Sequence, residues 1–337
     1  MSDFINVSLD GMGGDYAPVE TVKGAVEAVN ESSKIRVYVT GNEDIINSEL
    51  SKYQYNKEQI VVVPTTEIIE TAEPPVLAIR RKKDSSLVKA LNLVKDGTCA
   101  GYVSAGSTGA TLVGGQAVVG RLRGVDRSPL AVLLPTIDGI VLLIDCGANV
   151  DARSNHLLQF AKMGTVYMES IVGIKNPRVG ILNVGAEEDK GNALVKETFP
   201  LLKNCPDINF TGSIEARDVP FGQADIVVCD AFAGNVLLKT YEGVADAVIK
   251  KIKGAMMKSV KTKLGALLIK KDLKETMKDF SVEEYGGAPM LGLKGLVIKT
   301  HGNSKSIEIK NSILQCIAFT EQNINQKIKE KLSLEDN

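Results

Sequence analysis

Tryptophan is absent from this sequence of 337 residues, and aromatic residues make up only 5% of it. Stacking of nucleic-acid bases on aromatic side chains is therefore not the main task of the chain. A surplus of positive charge is also missing, because 40 lysines and arginines oppose 41 aspartates and glutamates. Since nucleic-acid-binding proteins usually carry a basic surplus, we expect no nucleic-acid partner.

Histidine and cysteine are too few and too scattered for a zinc site or a disulfide framework. The only histidines are His156 and His301, and the five cysteines are widely spaced without a CxxC pair. An odd number of separated cysteines is typical of reduced thiols in a cytoplasmic protein. We therefore expect a cytoplasmic location, no bound metal and no other cofactor.

Long apolar runs and the familiar nucleotide-binding motifs are also missing. No stretch approaches the ~18–20 apolar residues of a transmembrane helix, and the first residues do not resemble a signal peptide. The segment 11–16, GMGGDY, ends in tyrosine where GxGxxG requires glycine, and GxxxxGK[ST] does not occur. The chain is not expected to span a membrane, and both the dinucleotide fingerprint and the P-loop are missing.

What the chain does contain is a repeated alternation of short apolar, β-branched runs with helix-like segments. This pattern predicts one α/β domain over residues 1–337, with a mostly parallel sheet covered by helices on both faces. An Asp-Gly turn between two of the runs favours an antiparallel hairpin, which makes the sheet mixed. The predicted strands are Val7–Leu9, Ile35–Thr40, Ile60–Val63, Gly101–Ser104, Ala131–Leu134, Ile140–Ile144, Val179–Val184, Ile208–Phe210 and Ile226–Cys229.

Four predicted strands end in loops of small residues. Asp10 begins DGMGGDYAP, Asp145 begins DCGANV, Asp230 begins DAFAGNV, and Ser104 begins SAGSTGA. In doubly wound sheets, ligands bind beyond the carboxyl ends of the strands, where helix N-termini attract anions. Any one loop could be only a structural turn with a helix cap. Together the four loops predict a shared site for phosphate or a phosphate-bearing ligand.

Two polar clusters could add charged groups to such a site. In the loop NVGAEEDKGN, Lys190 could supply a positive charge and Asn192 a hydrogen bond to a reacting group, although polar surface loops are common. A basic run before a helix-like segment could bind phosphate or an acidic partner, or could simply be a solvated helix start. That run consists of Arg80, Arg81, Lys82 and Lys83.

No nucleophilic triad is predicted. Ser104 and Ser107 lie in a glycine loop, but GxSxG is absent and neither histidine is an evident base for them. His301 is the better histidine candidate for contact with substrate, because VIKTHGNS resembles the exit of a strand.

Residues 250–278 differ from the rest of the chain in charge. They contain ten lysines and two acidic residues, a net charge of +8, within a segment, 240–281, whose apolar residues recur at helical spacing. This pattern predicts a protruding insertion of two amphipathic helices separated near Lys258. The apolar faces of the two helices, with their surrounding lysines, resemble an interfacial membrane anchor. These faces could instead pack in the core, form a dimer interface, or dock an acidic carrier protein. The predicted membrane contacts are Val260, Lys261, Lys263, Leu264, Leu267 and Leu268.

Eight motifs occur in the order found in bacterial phosphate acyltransferases of the PlsX type. They are DGMGGDYAP, RRKKDSSL, SAGSTGA, DCGANVDA, NVGAEEDKGN, EARD, DAFAGNVLLKT and YGGAPMLGLKG…HGNS, and they span residues 6–304. The resemblance implies a three-layer α/β/α sandwich like that of phosphate acetyltransferases and isopropylmalate dehydrogenases. It also implies reversible transfer of a long acyl chain from acyl carrier protein to inorganic phosphate. The acyl phosphate formed would serve phospholipid synthesis.

The resemblance also implies a homodimer, peripheral membrane association and a membrane-bound glycerol-3-phosphate acyltransferase as a partner. Two positions depart from the family pattern, because Ser107 stands in place of asparagine and Ala231 in place of glycine. Three other functions stay open on the residues alone. They are a phosphate acetyltransferase-like enzyme that uses acyl-coenzyme A, a dehydrogenase on the same fold, and a peripheral membrane scaffold.

For the transfer reaction we predict two catalytic residues, which the resemblance marks. Lys190 pairs with phosphate or with the developing negative charge, and Asn235 donates a hydrogen bond to the acyl oxygen. Phosphate already carries unprotonated oxygens and thiols leave easily, so no serine–histidine activation is needed. The predicted phosphate- or substrate-binding residues are Asp10, Gly13, Gly14, Ser104, Gly106, Ser107, Thr108, Gly109, Asp145, Asn149, Asn192, Asp230 and His301.

Overall fold

The computed structural model describes residues 4–279 and 285–333 of the chain. All nine predicted strands are present, together with two short strands that the sequence analysis missed. The strands are β1 (Ile5–Asp10), β2 (Ile35–Gly41), β3 (Ile60–Pro64), β4 (Gly101–Ser104), β5 (Ala131–Thr136), β6 (Gly139–Ile144), β7 (Arg178–Asn183), β8 (Asn209–Glu215), β9 (Ile226–Val228), β10 (Ala288–Met290) and β11 (Leu296–Lys299).

Helices follow most of the strands, as an α/β chain requires. They are α1 (Val19–Glu31), α2 (Glu43–Leu50), α3 (Pro75–Arg81), α4 (Ser86–Lys95), α5 (Thr108–Gly114), α6 (Ser154–Tyr167), α7 (Ala193–Lys203), α8 (Ala231–Met256), α9 (Val260–Asp279), α10 (Ser306–Glu321) and α11 (Ile324–Lys331). One turn of π-helix extends α5 and another extends α6.

The strands are divided between two sheets rather than placed in one. The first has the order β10-β11-β4-β1-β2-β3 and the second β5-β6-β9-β7-β8. Each sheet is parallel except for one antiparallel edge strand, β10 or β5, and the predicted β5–β6 hairpin is confirmed. The two edges meet at a bridge between Leu130 and Met290. The prediction of an α/β fold with mixed strand directions is confirmed. The division into two sheets was not predicted, because apolar runs carry no information on strand order.

Packing on both faces of the sheets explains the apolar runs. Residues 141–144 of β6 are entirely buried, so this strand needs no polar face. On the first sheet, α1 packs on α10, and Gly24 permits the close approach, since a Cβ at that position would lie 2.6 Å from the Cβ of Ile309. These packing contacts fix the positions of the strands, whose carboxyl ends form the candidate site.

The lysine-rich segment forms the two predicted helices. The break between α8 and α9 falls at residues 257–259, next to Lys258, as predicted. Side chains 260–276 are exposed except for the partly buried Ala266, and Val260 and Leu268 are 83% and 77% exposed. Packing of this face in the core is therefore excluded for these residues. The predicted end of the insertion, at residue 281, lies outside the described residues.

No helix in the described part of the chain is long and apolar enough to cross a bilayer.

Candidate active site

The carboxyl ends of β1 and β4 form a first polar cluster. Asp10 ends β1 and is 2% exposed, and its Oδ2 accepts a hydrogen bond from Ser104 Oγ at 2.8 Å. Ser104 Oγ accepts the backbone N–H of Gly106 at 2.9 Å. Gly13 lies against the same carboxylate, since a Cβ there would come within 2.4 Å of Oδ2. Burial raises the pKa of Asp10, although hydrogen bonds with Ser86 and Ser104 act to lower it. The structure thus brings together four residues that the sequence analysis predicted.

The loop after β11 completes this cluster. The backbone N–H of Asp15 donates to the carbonyl of Gly302 at 2.7 Å. Gly14 has a φ of +107°, and a Cβ there would lie 2.8 Å from the Cβ of Ala105. Only glycine adopts such a backbone without strain. The loop that carries His301 therefore packs directly on the GMGGDY loop.

Lys299 is a member of this cluster that the sequence analysis missed. It ends β11, is only 7% exposed and stands opposite Ser104 of β4 in the strand register. Burial lowers the pKa of Lys299 to about 8, although the carboxylates of Glu308, Asp10 and Asp15 act to raise it. Lysine is almost never buried unless it is paired, and none of the recorded ion pairs of the described residues includes Lys299. The Lys299 ammonium donates a hydrogen bond to the carbonyl of Thr300, but no carboxylate of the described residues forms an ion pair with it. A buried ammonium whose charge is not paired favours an anion at this edge.

A second cluster surrounds Asp145, in the loop after β6. Its Oδ1 accepts the backbone N–H groups of Leu130, Gly147 and Ala148 at 2.9, 3.0 and 3.1 Å. Its Oδ2 accepts the backbone N–H and the Nδ2 of Asn149 at 2.9 and 2.7 Å. Burial raises the pKa of Asp145, while these donors lower it. With five hydrogen bonds, this carboxylate shapes the loop and holds Asn149 in place.

The start of α8 packs against the second cluster. Asp230 caps the helix by accepting a backbone N–H at 2.8 Å, and the N–H of Ala231 donates to the carbonyl of Asn149 at 3.0 Å. Ala231 lies inside the helix and is not among the residues with positive φ, so glycine is not required there. Asn235 Nδ2 donates to the carbonyl of Cys146 at 3.0 Å. An amide nitrogen has two hydrogens, so Asn235 has a second donor to offer.

Gly234 allows this close packing, and its replacement tests it. A Cβ at Gly234 would lie 1.9 Å from the carbonyl oxygen of Asp145. We expect Gly234→Ala to lower the free energy of unfolding by about 2–3 kcal/mol. Gly243, on the same helix, has no atom within 4 Å of its Cβ position. There Gly243→Ala should raise stability by about 0.5–1 kcal/mol. Denaturant unfolding of both variants checks the pair, and equal stabilities would contradict the packing described.

One contact joins the two clusters. His301 Nε2, in the loop after β11, lies 3.6 Å from Glu242 Oε1 on α8. Glu242 Oε2 accepts a hydrogen bond from Lys239 Nζ at 2.8 Å. Asn235, Lys239 and Glu242 are spaced i, i+4 and i+7, so they share one face of α8. The helix face that carries Asn235 is thus turned towards the loop that carries His301, next to Lys299.

The loop at residues 184–192 keeps Lys190 on the surface. The backbone N–H of Lys190 donates to the carbonyl of Glu187 at 3.2 Å, and its carbonyl accepts Asn183 Nδ2 at 3.4 Å. Its side chain is exposed. Among the described residues, it makes no hydrogen bond or ion pair with either cluster. Asn192 caps α7, because its Oδ1 accepts the N–H of Val195 at 2.9 Å. Asn192 therefore has a structural task, and a direct role for Lys190 stays a prediction.

The predicted phosphate-binding residues of the SAGSTGA loop differ in their surroundings. Ser107 Oγ caps α5 by accepting the N–H of Ala110 at 3.3 Å, so the hydroxyl is partly engaged. Thr108 is exposed. A Cβ at Gly109 would lie 2.5 Å from Cγ of Pro75, which places α3 next to this loop. The glycine here is needed for helix packing.

The predicted basic run divides into two pairs. Lys82 Nζ contacts Glu73 Oε1 at 2.6 Å and the carbonyl of Ile68 at 2.7 Å. Lys83 Nζ donates to the carbonyl of Ile79 at 3.0 Å. Both lysines thus have internal partners that compete with a ligand. The other two members, Arg80 and Arg81, are exposed on α3.

Comparison with known proteins identifies the family. A family model described as fatty acid synthesis protein matches residues 5–327. The phosphate acyltransferase of Clostridium novyi is 49% identical over 325 residues, which cover 96% of this chain and 98% of that protein. The chain belongs to the phosphate acyltransferase family. The member from Clostridium acetobutylicum is 48% identical over 326 residues, covering 97% and 98% of the two chains.

Solved structures agree with the fold expected for this phosphate acyltransferase family. EutD phosphotransacetylase from Staphylococcus aureus matches with a TM-score of 0.58 at 18% identity, covering 94% of this chain and 95% of that one. A phosphotransacetylase from Streptococcus pyogenes matches with a TM-score of 0.60 at 17% identity, covering 94% of each chain. At such identity the likeness shows the fold alone. It confirms the predicted similarity to phosphate acetyltransferases.

Proposed function

We propose that this chain catalyses the reversible transfer of a long-chain acyl group from acyl carrier protein to inorganic phosphate. The acyl phosphate formed supplies phospholipid synthesis. One observation carries the proposal: the contact of His301 with Glu242 sets the Asn235 face of α8 towards the cluster of Asp10 and Lys299. An anion-binding edge and a hydrogen-bond donor for an acyl oxygen thus lie on neighbouring elements.

In this proposal, phosphate binds at the first cluster. Lys299 provides the buried positive charge, and backbone N–H groups of the loops around Gly13, Gly14 and Gly106 surround the phosphate oxygens. The carboxylate of Asp10 binds no phosphate itself but holds Ser104 and the Gly106 loop in position. Fixed donors in a partly dry site stabilise an anion better than mobile water does.

The chemical step is an attack of phosphate on the thioester. An unprotonated phosphate oxygen forms a bond to the carbonyl carbon, and the carbonyl oxygen becomes negatively charged. The C–O bond then re-forms its double bond as the C–S bond breaks, and the carrier leaves as a thiolate, whose pKa is near ~8.5. Asn235 donates its second N–H to the charged oxygen, and Lys190 neutralises charge from the surface loop. Positioning and electrostatic stabilisation supply the rate enhancement.

The pH dependence of phosphate binding tests the role of Lys299. Because its pKa is lowered to about 8, Lys299 is charged below that pH and loses its charge above it. The KM for phosphate should therefore rise about 5-fold as pH increases from 8 to 9, because the charged fraction of Lys299 falls from about one half to about one tenth. Lys299→Arg keeps its charge over this range and should show a flat profile, whereas Lys239→Arg on α8 should behave as the wild type. An unchanged rise in Lys299→Arg would contradict the assignment.

The donor is tested by offering two thioesters. Purified protein is incubated with phosphate and either palmitoyl-acyl carrier protein or palmitoyl-coenzyme A, and hydroxylamine traps any acyl phosphate. Hydroxamate that depends on phosphate and on the carrier protein supports the proposal. If hydroxamate forms only with palmitoyl-coenzyme A, the donor is the coenzyme A thioester and not the carrier protein. If no hydroxamate forms with either donor, acyl transfer to phosphate is refuted.

The helical pair supports a proposal of peripheral membrane association and of a homodimer. Leu264 and Leu267 are 60% and 65% exposed on α9, beside Lys261 and Lys263. Exposed leucines flanked by lysines favour contact with anionic lipid, which would bring acyl phosphate to a membrane-bound glycerol-3-phosphate acyltransferase. The apolar residues of α8 offer a surface for a second copy. Flotation with anionic vesicles and equilibrium sedimentation test the two surfaces separately.

A further inference from the structure

Three arginines lie together beside the second cluster, and no motif of the sequence analysis includes them. Arg121 and Arg127 both direct a guanidinium nitrogen at the carbonyl of Asp126, Arg127 at 3.4 Å. The backbone N–H of Arg153 donates to Nδ1 of His156 at 3.0 Å. We call Arg121, Arg127 and Arg153 the arginine patch.

The arginine patch forms no ion pair with the residues that the structure describes. None of the three arginines belongs to a recorded ion pair in residues 4–279 and 285–333. Arg127 and Arg153 are exposed, and Arg121 is partly exposed. Burial lowers the pKa of His156, and the three arginines lower it further, while Asp126 opposes them. The patch therefore presents a positive surface beside the carboxylate of Asp126.

The arginine patch borders the place where the thioester is proposed to bind. Arg127 directly precedes Ser128, whose carbonyl accepts Asn149 Nδ2 at 3.0 Å. Arg153 follows Asn149 by four residues, which span at most about 14 Å. Asn149 in turn accepts the N–H of Ala231, at the start of the helix that carries Asn235.

Other positive surfaces are less suited to deliver a thioester to Asn235. The lysine-rich part of α8 begins at Lys250, 15 residues after Asn235, which is about 22 Å along the helix axis. In the basic run at the end of α3, Lys82 and Lys83 already have internal partners. The exposed Arg80 and Arg81 lie on α3, which packs against the SAGSTGA loop of the first cluster. The arginine patch combines unpaired charge with closeness to the second cluster.

We propose that the arginine patch is the docking surface for the acidic carrier protein that delivers the acyl thioester. This inference rests on the proposed function, since it names the surface that binds the donor. Guanidinium groups form paired hydrogen bonds with carboxylates. A cluster of them beside the site speeds the encounter with an acidic partner and fixes its orientation.

Charge reversal at two exposed positions tests the docking surface. The double variant Arg127→Glu/Arg153→Glu should raise the KM for palmitoyl-acyl carrier protein about 10-fold or more at low salt, with kcat within twofold of the wild type. The reaction with palmitoyl-pantetheine, a donor with neither protein nor phosphate, should be unchanged. The control Lys57→Glu/Lys175→Glu makes the same change of charge at two exposed lysines that lie just before β3 and β7, and it should leave both reactions unchanged.

A milder double variant keeps the test informative if the charge-reversed protein does not fold. Arg127→Gln/Arg153→Gln should give a smaller rise in the same KM, and thermal unfolding of both variants should match the wild type. An unchanged KM for the carrier protein in folded variants overturns the docking surface, as does an equal loss with both donors or in the control. If the wild type transfers no acyl group to phosphate from either donor, the proposed function fails, and the docking surface fails with it.

Discussion

Asn235→Ala is expected to lower kcat for acyl transfer by about 10²- to 10³-fold, the usual cost of losing one oxyanion donor. The structure explains why this amide can act as such a donor. One N–H of Asn235 is held by the carbonyl of Cys146, which fixes the side chain. The other N–H lies on the helix face that is turned towards the loop of His301.

The comparison variant lies on the same helix. Asp246 is exposed on α8, and Asp246→Ala should keep kcat within twofold of the wild type. Thermal unfolding checks that both proteins are folded, because Asn235→Ala also leaves the Cys146 carbonyl without its partner. If folded Asn235→Ala kept kcat within threefold of the wild type, Asn235 would not stabilise the charged acyl oxygen.

Lys190→Ala is expected to lower kcat/KM by about 10²-fold or more, because the charge that opposes the developing anion is lost. The loop of Lys190 follows β7, and β7 pairs with β9, which leads to Asp230 and α8. The loop of Lys190 therefore leaves the second sheet at the same edge as the loops that begin with Asp145 and Asp230. Steady-state kinetics at saturating phosphate and at saturating donor separate its effect on binding from that on the chemical step.

A neighbouring lysine provides the matched control for this variant. Lys196 is exposed on α7, six residues further along the chain, and Lys196→Ala should have nearly wild-type activity. An equal loss in both variants would point to a general effect of surface charge. Wild-type activity in folded Lys190→Ala would remove Lys190 from the mechanism.

The local structure could be predicted well because burial dictates it. Strands buried on both faces, such as β6, leave continuous apolar runs such as residues 141–144, and these runs mark the strands in the sequence. The short strand β10 has only three residues, and glycines flank β11, so neither gives a clear pattern. The division into two sheets depends on long-range pairing, with the sheet edges meeting at Leu130 and Met290. Local sequence patterns carry no information on such pairing.

Sequence reasoning located the loops of the candidate site where the backbone demands a particular residue. Aspartates and glycines at strand ends indicated the loops of Asp10 and Asp145, because caps and close approaches need those residue types. Lys299 was missed, since a lysine at the end of an apolar strand usually reaches solvent. Its one signal was its place in the strand, and only the packing of the surrounding loops shows that it is buried.

The central claim is that phosphate itself attacks the acyl group at the site formed by the two clusters. The direct measurement uses palmitoyl-acyl carrier protein and phosphate labelled with ¹⁸O at all four oxygens, followed by mass spectrometry of the product. Direct attack by phosphate gives an acyl phosphate that retains all four labelled oxygens and forms at the same rate as free carrier thiol. Release of palmitic acid without labelled acyl phosphate, at a rate independent of phosphate, would contradict it.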